Sequence, residues 1–113
     1  MSSPTQRTLA ELRKLGYLAA VVERWNPHAK IRQDLFGFVD VLAIGTEGDA
    51  PGYENTLAVQ ATSGSNVASR LTKLRSEAVA PAVARVQAAG WKVEVWGWRK
   101  NSKGRWILRR EAL

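Results

Sequence analysis

Two apolar segments of this chain each carry a polar side chain where a strand interior is expected, and this conflict restricts what the chain can form. In the first, residues 34–44, Asp40 stands between Val39 and Val41 in an apolar run. A buried carboxylate without a partner costs several kcal/mol or takes up a proton, so a compensating group must contact it. In the second, residues 57–65, the side chains of Gln60 and Thr62 share one strand face because side chains alternate. The two segments together predict a metal and phosphate site.

Length and charge indicate one basic domain. A chain of 113 residues can bury a single core, so residues 1–113 are expected to form one domain. The 17 Lys and Arg exceed the 10 Asp and Glu and give a formal charge of +7. Such a balance favours a polyanionic partner, with nucleic acid the leading one, through phosphate contacts and counterion release. A basic protein without that partner stays open as the alternative.

The Cys and His content of the sequence excludes a zinc site built from these two residue types. The chain has no Cys and a single His, His28. A metal must then be held by oxygen atoms, which points to Mg²⁺ or Mn²⁺. No apolar run approaches the ~20 residues of a membrane helix, so no membrane partner is expected. The absence of Cys is compatible with an intracellular, cytoplasmic protein.

Hydrophobic periodicity and turn residues predict an α/β domain with the element order α-β-β-β-α-β-β. A helix is expected over 5–15, a loop over 45–55, and Gly90 is expected to end a helical segment that starts near Val67 and that Pro81 kinks or restarts. Strands are expected over 17–25, 38–44, 57–62, 92–98 and 105–109, the last two joined by a hairpin turn at 101–104. Trp96 and Trp98 share a strand face and are expected to fill a core or a dimer interface.

That order, with an acidic residue in the second strand and a polar pair in the third, resembles the PD-(D/E)XK nuclease superfamily. Within it, residues 5–98 look most like the small Holliday-junction-resolvase and VRR-NUC-like proteins often carried by phages. The resemblance implies a restriction-endonuclease-like core, in which helices flank a mixed central sheet. It also implies a homodimeric endonuclease dependent on Mg²⁺ or Mn²⁺, a hydrolase that cuts DNA, with branched junctions as a candidate substrate.

By the same resemblance, Asp40 matches the motif aspartate, Gln60 the glutamate position and Thr62 the place of the lysine. Glu11 on the first helix matches an additional acidic ligand. A hard cation would be held by Asp40, the Gln60 carbonyl oxygen and the Ala61 backbone carbonyl, with waters completing the coordination. A second candidate for the third ligand is Glu23, which can equally be a solvent-facing residue. Asp34 is expected to make a local ion pair with Arg32 or a turn contact.

Thr62 departs from the family pattern, because threonine cannot supply the positive charge that stabilises the transition state. Arg70 and Lys73 form a polar stripe on the following helix and can replace it, unless the stripe is only a solvated face. The residues expected to contact nucleic acid, mainly through its phosphates, are Arg32, Ser63, Ser65, Asn66, Arg70, Arg99, Lys100, Lys103, Arg109 and Arg110.

Two other functions stay open. The first is a nuclease-fold module with an inactive site that binds nucleic acid, for which Thr62 is the best support. The second is a protein-interaction factor that uses its apolar strands and tryptophans for assembly. Weak DNA binding at physiological salt would favour the second.

Overall fold

The computed structural model describes residues 3–45 and 56–113 and shows an α/β fold with one mixed five-stranded sheet and three α-helices. Most of the loop expected at 45–55 lies outside the described residues. The helices are α1 (Pro4–Lys14), α2 (Val67–Leu74) and α3 (Ala80–Ala88). The strands are β1 (Leu18–Val21), β2 (Arg24–Asn26), β3 (Ile31–Gln33), β4 (Val41–Ile44), β5 (Thr56–Ser63), β6 (Lys92–Lys100) and β7 (Trp106–Ala112).

The main sheet has the strand order β1-β4-β5-β6-β7. Its central pair, β5 and β6, is parallel, and the other neighbours are antiparallel. A parallel pair requires a crossover connection, which α2 and α3 supply. The predicted hairpin between the last two strands is confirmed, with Lys100 opposite Trp106. Strand β5 is therefore the centre of the sheet, with β4 on one side and β6 on the other.

Two apolar layers hold the helices on opposite faces of the sheet. Leu12 of α1 packs with Val59 and Trp96 on one face, while α2 and α3 cover the other with Val67 and Val83. Trp96 and Trp98 are buried in the first layer, so the core alternative predicted for them is confirmed. The indole N–H of Trp98 donates to the Thr8 hydroxyl at 2.9 Å, which satisfies both buried polar groups.

The first predicted strand is wrong in its extent, because the chain leaves the main sheet after Val21. Strand β1 ends there, and β2 pairs with β3 as a separate two-stranded hairpin. The cause lies in the neighbouring strand: β4 starts only at Val41, opposite Val21. The pairing continues only to Val22, whose N–H donates to the Asp40 carbonyl, and the chain then turns away so that β2 pairs with Ile31–Gln33.

The second predicted strand begins three residues later than expected. Residues 35–39 form a tight turn in which Phe36 and Gly37 have φ of 56° and 82°. Phe38 and Val39 are nonetheless fully buried, from turn positions. An apolar run that looked like one strand is thus half turn and half strand, and Asp40 stands at the junction between them.

The connection from β5 to α2 runs through a short turn. A 3-10 turn over Gly64–Asn66 precedes α2, and no side chain caps the helix. The turn passes close to β6, where a Cβ at Gly97 would collide with the side chain of Val67. Pro81 lies in the first turn of α3, so it starts a new helix rather than kinking a long one.

Candidate metal centre

The turn at 35–39 brings two carboxylates face to face. Leu35 and Val39 form an antiparallel bridge, with the Leu35 N–H donating to the Val39 carbonyl at 3.0 Å. Asp34 precedes Leu35 and Asp40 follows Val39, so the two aspartates form the next cross-strand pair and their side chains lie close together. Glu23, just before β2, completes the group, and a carboxylate oxygen of each residue lies within 4.8 Å of the others. We call Glu23, Asp34 and Asp40 the acidic group.

Backbone hydrogen bonds fix Asp40 at the edge of β5. Its N–H donates to the Val59 carbonyl at 2.9 Å, and its own carbonyl accepts from Val22 N–H at 2.9 Å. Its Oδ2 accepts from the Ala61 N–H at 2.8 Å. Strand β4 pairs with β5 only as far as Val59, so it provides no backbone acceptor for the Ala61 N–H. The Asp40 side chain accepts that hydrogen bond instead.

Burial and like charge act together on Asp40. The residue is only 5% exposed. Burial raises the pKa of its carboxyl to about 8. A hydrogen bond that the protonated carboxyl donates to Asp34, the Asp34 charge and the Glu23 charge add to the rise, and the Ala61 N–H opposes it. Two facing carboxylates repel each other when both are charged, which favours a shared proton or a bound cation.

Gln60 supplies an independent sign of a missing partner. The residue is 1% exposed, and its Nε2 donates to Asp34 Oδ2 at 3.3 Å. Its Oε1 is buried and has no hydrogen-bond partner in the described part of the chain. Buried amide oxygens are normally satisfied, so this atom calls for a donor, a water or a cation. The Gln60 side chain contacts Asp34, so its amide oxygen and the three carboxylates could form an oxygen-only ligand set of the kind that suits Mg²⁺ or Mn²⁺.

The Ala61 carbonyl, the other predicted ligand, lies on the same edge of β5 as the acidic group. The Ala61 N–H points to Asp40. In an extended strand the N–H and C=O of one residue point to the same side, because a hydrogen-bonded pair exchanges both. The donor set predicted from sequence, Asp40, Gln60 and Ala61, thus comes together at one place.

Helix α2 brings a positive charge to this place. Lys73 Nζ lies 3.9 Å from Asp34 Oδ2, and its side chain is 37% exposed. Arg70, one turn earlier on α2, is half-buried. Thr62 is 4% exposed and uncharged, on the strand face that Gln60 occupies. Of the two cations predicted to replace the lysine, Lys73 is the one with an ion pair to the acidic group.

Glu11 does not join the acidic group. It lines a separate cleft with Gln6, Lys14 and Trp98. The reason is the orientation of α1: Thr8 and Leu12 are buried against the sheet, and this places Glu11 beside β6. Glu23, the rival candidate, is the one that the structure places next to Asp40.

The expected ion pair between Asp34 and Arg32 is not the one that forms. Arg32 Nη1 instead lies 3.5 Å from Glu23 Oε1, and Asp34 pairs with Lys73. The sequence analysis therefore missed Asp34 as a member of the site. The signal that would have found it is Gly37 between two aromatic residues, because a glycine there indicates a turn that would bring Asp34 and Asp40 together.

Of the ten residues predicted to contact nucleic acid, Arg32 lies on β3 and Arg70 on α2, and the other eight fall into three places. Ser63, Ser65 and Asn66 are joined by side-chain hydrogen bonds at the β5–α2 connection, where the Arg99 side chain packs against Gly64. Lys100 and Lys103 are exposed on the β6–β7 hairpin.

The third place is β7, whose two arginines already have protein partners. The Arg110 guanidinium donates to both Glu94 oxygens, at 2.8 and 3.2 Å, and lies 4.6 Å above the Trp96 ring. Arg109 pairs with Glu111 at 2.8 Å. Arg109 and Arg110 were predicted to contact phosphates, and in the structure each forms an ion pair with a glutamate of the protein.

Comparison with models of known protein families, with curated proteins and with solved structures finds no match to this chain. In the described ranges, 3–45 and 56–113, no helix has the length and apolar character that crossing a membrane demands.

Proposed function

We propose that this protein is a divalent-metal-dependent endonuclease that hydrolyses phosphodiester bonds in DNA. The observation that carries the proposal is the unsatisfied Oε1 of Gln60, a side chain whose Nε2 donates to Asp34 of the acidic group. Neither feature suffices alone, since acidic clusters and orphan amide atoms both occur without metals. Together they offer oxygen atoms from four side chains to a cation, which would add to the positive charge that Lys73 brings to Asp34.

The charges of the chain fit a nucleic acid as the substrate. The net charge is +7, although the site itself is acidic. An anionic polymer is attracted to the basic surface, while a cation at the acidic group removes the local repulsion. The restriction-endonuclease-like core and the homodimer implied by the resemblance belong to this proposal, as does cleavage of branched junctions by two copies.

The residues of the site take separate roles in this chemistry. Asp34, Asp40, Glu23 and the Gln60 amide oxygen would hold Mg²⁺ or Mn²⁺, which supplies Lewis acidity toward a phosphodiester oxygen and an attacking water. The Ala61 N–H keeps the Asp40 carboxylate in place. Lys73 brings its ammonium next to Asp34, where it would stabilise negative charge that develops on the phosphate.

A nuclease-fold binding module without activity is the second candidate, and buried, uncharged Thr62 favours it. In that case the acidic group would be a structural remnant, with Asp34 and Asp40 sharing a proton. Both candidates bind DNA, so only a cleavage measurement separates them.

The test is cleavage of supercoiled plasmid, linear duplex and a four-way junction with Mg²⁺, with Mn²⁺ and with EDTA. We expect cleavage of at least one substrate with either metal and none in EDTA, with the junction preferred. A protein that binds these DNAs but cuts none of them with either metal would contradict the nuclease and support the binding module.

A further inference from the structure

Phe36 has a backbone conformation that its side chain does not favour. Its φ is 56°, and it precedes Gly37 with φ 82° in a turn closed by the Phe38 N–H donating to the Leu35 carbonyl at 3.2 Å. Two consecutive positive φ values are the pattern of a type I′ turn, for which Asn-Gly is the preferred sequence. A phenylalanine in the left-handed region carries a cost that asparagine or glycine largely avoids.

Burial of the Phe36 side chain does not offset this conformational cost. Phe36 is 54% exposed, and its ring centroid lies 6.2 Å from that of Trp91 at an angle of 48°. Strained positions that packing does not explain tend to occur at functional sites. The ring is therefore held out at the surface, at a place where the backbone would be more stable without it.

Phe36 also borders a cleft next to the acidic group. Phe36 lines a cleft of about 250 Å³ with Asp34, Arg24 and Gln33. Asp34 belongs to the acidic group, so the cleft and the candidate metal centre share a residue. Arg24 and Gln33 are exposed on the two strands of the β2–β3 hairpin, directly opposite each other.

We propose that this cleft binds one unpaired nucleobase of a DNA substrate, with the Phe36 ring as its stacking surface, next to the acidic group. The proposal rests on the nuclease function proposed above and adds its substrate class: DNA in which a base is unstacked beside the bond that is cut. An aromatic ring stacks on any unpaired base. Arg24 supplies a cation for the adjoining phosphate and Gln33 an amide for the base edge. A base inside a perfect duplex cannot reach the ring without leaving its stack.

The test measures binding in EDTA, so that no cleavage interferes. Fluorescence anisotropy compares a perfect duplex with the same duplex carrying one unpaired nucleotide, for wild type, Phe36→Asn and Phe36→Tyr. We expect wild type and Phe36→Tyr to prefer the DNA with the unpaired nucleotide by about 5- to 100-fold. Phe36→Asn should lose that preference and keep its affinity for the perfect duplex.

Urea denaturation of the same variants excludes a structural explanation. Asparagine suits the left-handed conformation, so Phe36→Asn should unfold at the same or a higher urea concentration than wild type. If the ring served only to cover Trp91, the midpoint would fall and both DNAs would lose affinity equally. Trp106→Ala removes a second exposed aromatic, on β7 away from the cleft, and should leave the preference intact.

The outcomes separate this inference from the function on which it rests. Equal binding of the two DNAs by wild type, or a preference that survives Phe36→Asn, overturns the stacking site and leaves the nuclease intact. Absence of binding to either DNA contradicts both. Loss of the preference in Phe36→Asn alone, with cleavage absent under every condition, supports the base site in a protein that is not a nuclease.

Discussion

Asp40→Asn is expected to abolish cleavage and, without metal, to make the protein more stable at pH 8 than wild type. The amide has the shape of a protonated carboxyl: its oxygen accepts from the Ala61 N–H and its NH₂ donates to Asp34, as the shared proton does. It cannot replace a carboxylate as a metal ligand, so turnover should be lost while the basic surface still binds DNA. Activity at the wild-type rate would contradict the site assignment.

The stability difference should depend on pH in a defined direction. The Asp40 pKa is about 8 in the folded protein and near 3.8 when unfolded, so between these values the folded state keeps a proton that the unfolded state has lost. Wild-type stability should therefore fall as pH rises from about 4 to about 8. A tenfold change in proton affinity corresponds to about 1.4 kcal/mol, so Asp40→Asn should be nearly neutral only below about pH 4. It should stabilise the protein by about 1–2 kcal/mol at pH 5 and by a few kcal/mol more at pH 8.

Urea midpoints at the two pH values, in EDTA, measure this effect. Asp40→Ala is the control, because it leaves the Ala61 N–H without its acceptor and should destabilise the protein at pH 5. If Asp40→Asn destabilises equally at both pH values, the carboxylate is a structural partner rather than a ligand kept for a cation.

Lys73→Ala is expected to lower the cleavage rate by about 10² or more with little change in substrate binding. The ammonium lies 3.9 Å from Asp34 Oδ2, and loss of a charge that acts mainly in the transition state lowers kcat rather than affinity. Arg70→Ala is the matched control on the same helix and should have a much smaller effect. Single-turnover rates and equilibrium binding on one junction substrate separate the two quantities.

The Thr62 position provides the complementary test. Thr62→Lys should add little to wild type, because Lys73 already serves the site, and should restore part of the activity to Lys73→Ala, since residue 62 is on the strand face of Gln60. Full activity in Lys73→Ala would contradict the hypothesis that Lys73 replaces the lysine whose place Thr62 occupies. If wild type is inactive and Thr62→Lys alone gains activity, the protein is a binding module whose site lost its lysine.

The sequence was most informative where local pattern and tertiary packing agree. The polar pair of β5, the core tryptophans of β6, the hairpin at 101–104 and the restart at Pro81 follow from alternation and turn residues that act over a few positions. Asp40 was found for the same reason, because a carboxylate in an apolar run is a conflict that neighbouring residues alone reveal.

Long-range geometry is what the sequence could not supply. The segment containing Glu23 leaves the main sheet because β4 begins late, and no residue between Tyr17 and Trp25 signals that departure. Asp34 joins Asp40 only through the turn at 35–39. Gly37 indicates a turn, but the apolar residues Phe38 and Val39 were assigned to the following strand, which hid the extent of that turn. Glu11 was placed by family resemblance, and the orientation of α1 depends on which of its residues the sheet buries.

The most direct test of the account is a calorimetric titration of wild type and Asp40→Asn with Mn²⁺ at pH 7. We expect one site per chain in wild type, with release of a proton, because Asp40 has a pKa of about 8 and must be deprotonated to bind a metal. Repeating the titration in buffers of different ionisation enthalpy gives the number of protons released. Asp40→Asn should show neither the site nor the proton. Absence of Mn²⁺ binding in wild type, or equal binding in Asp40→Asn, would contradict a metal centre formed by Asp40, Asp34, Glu23 and Gln60.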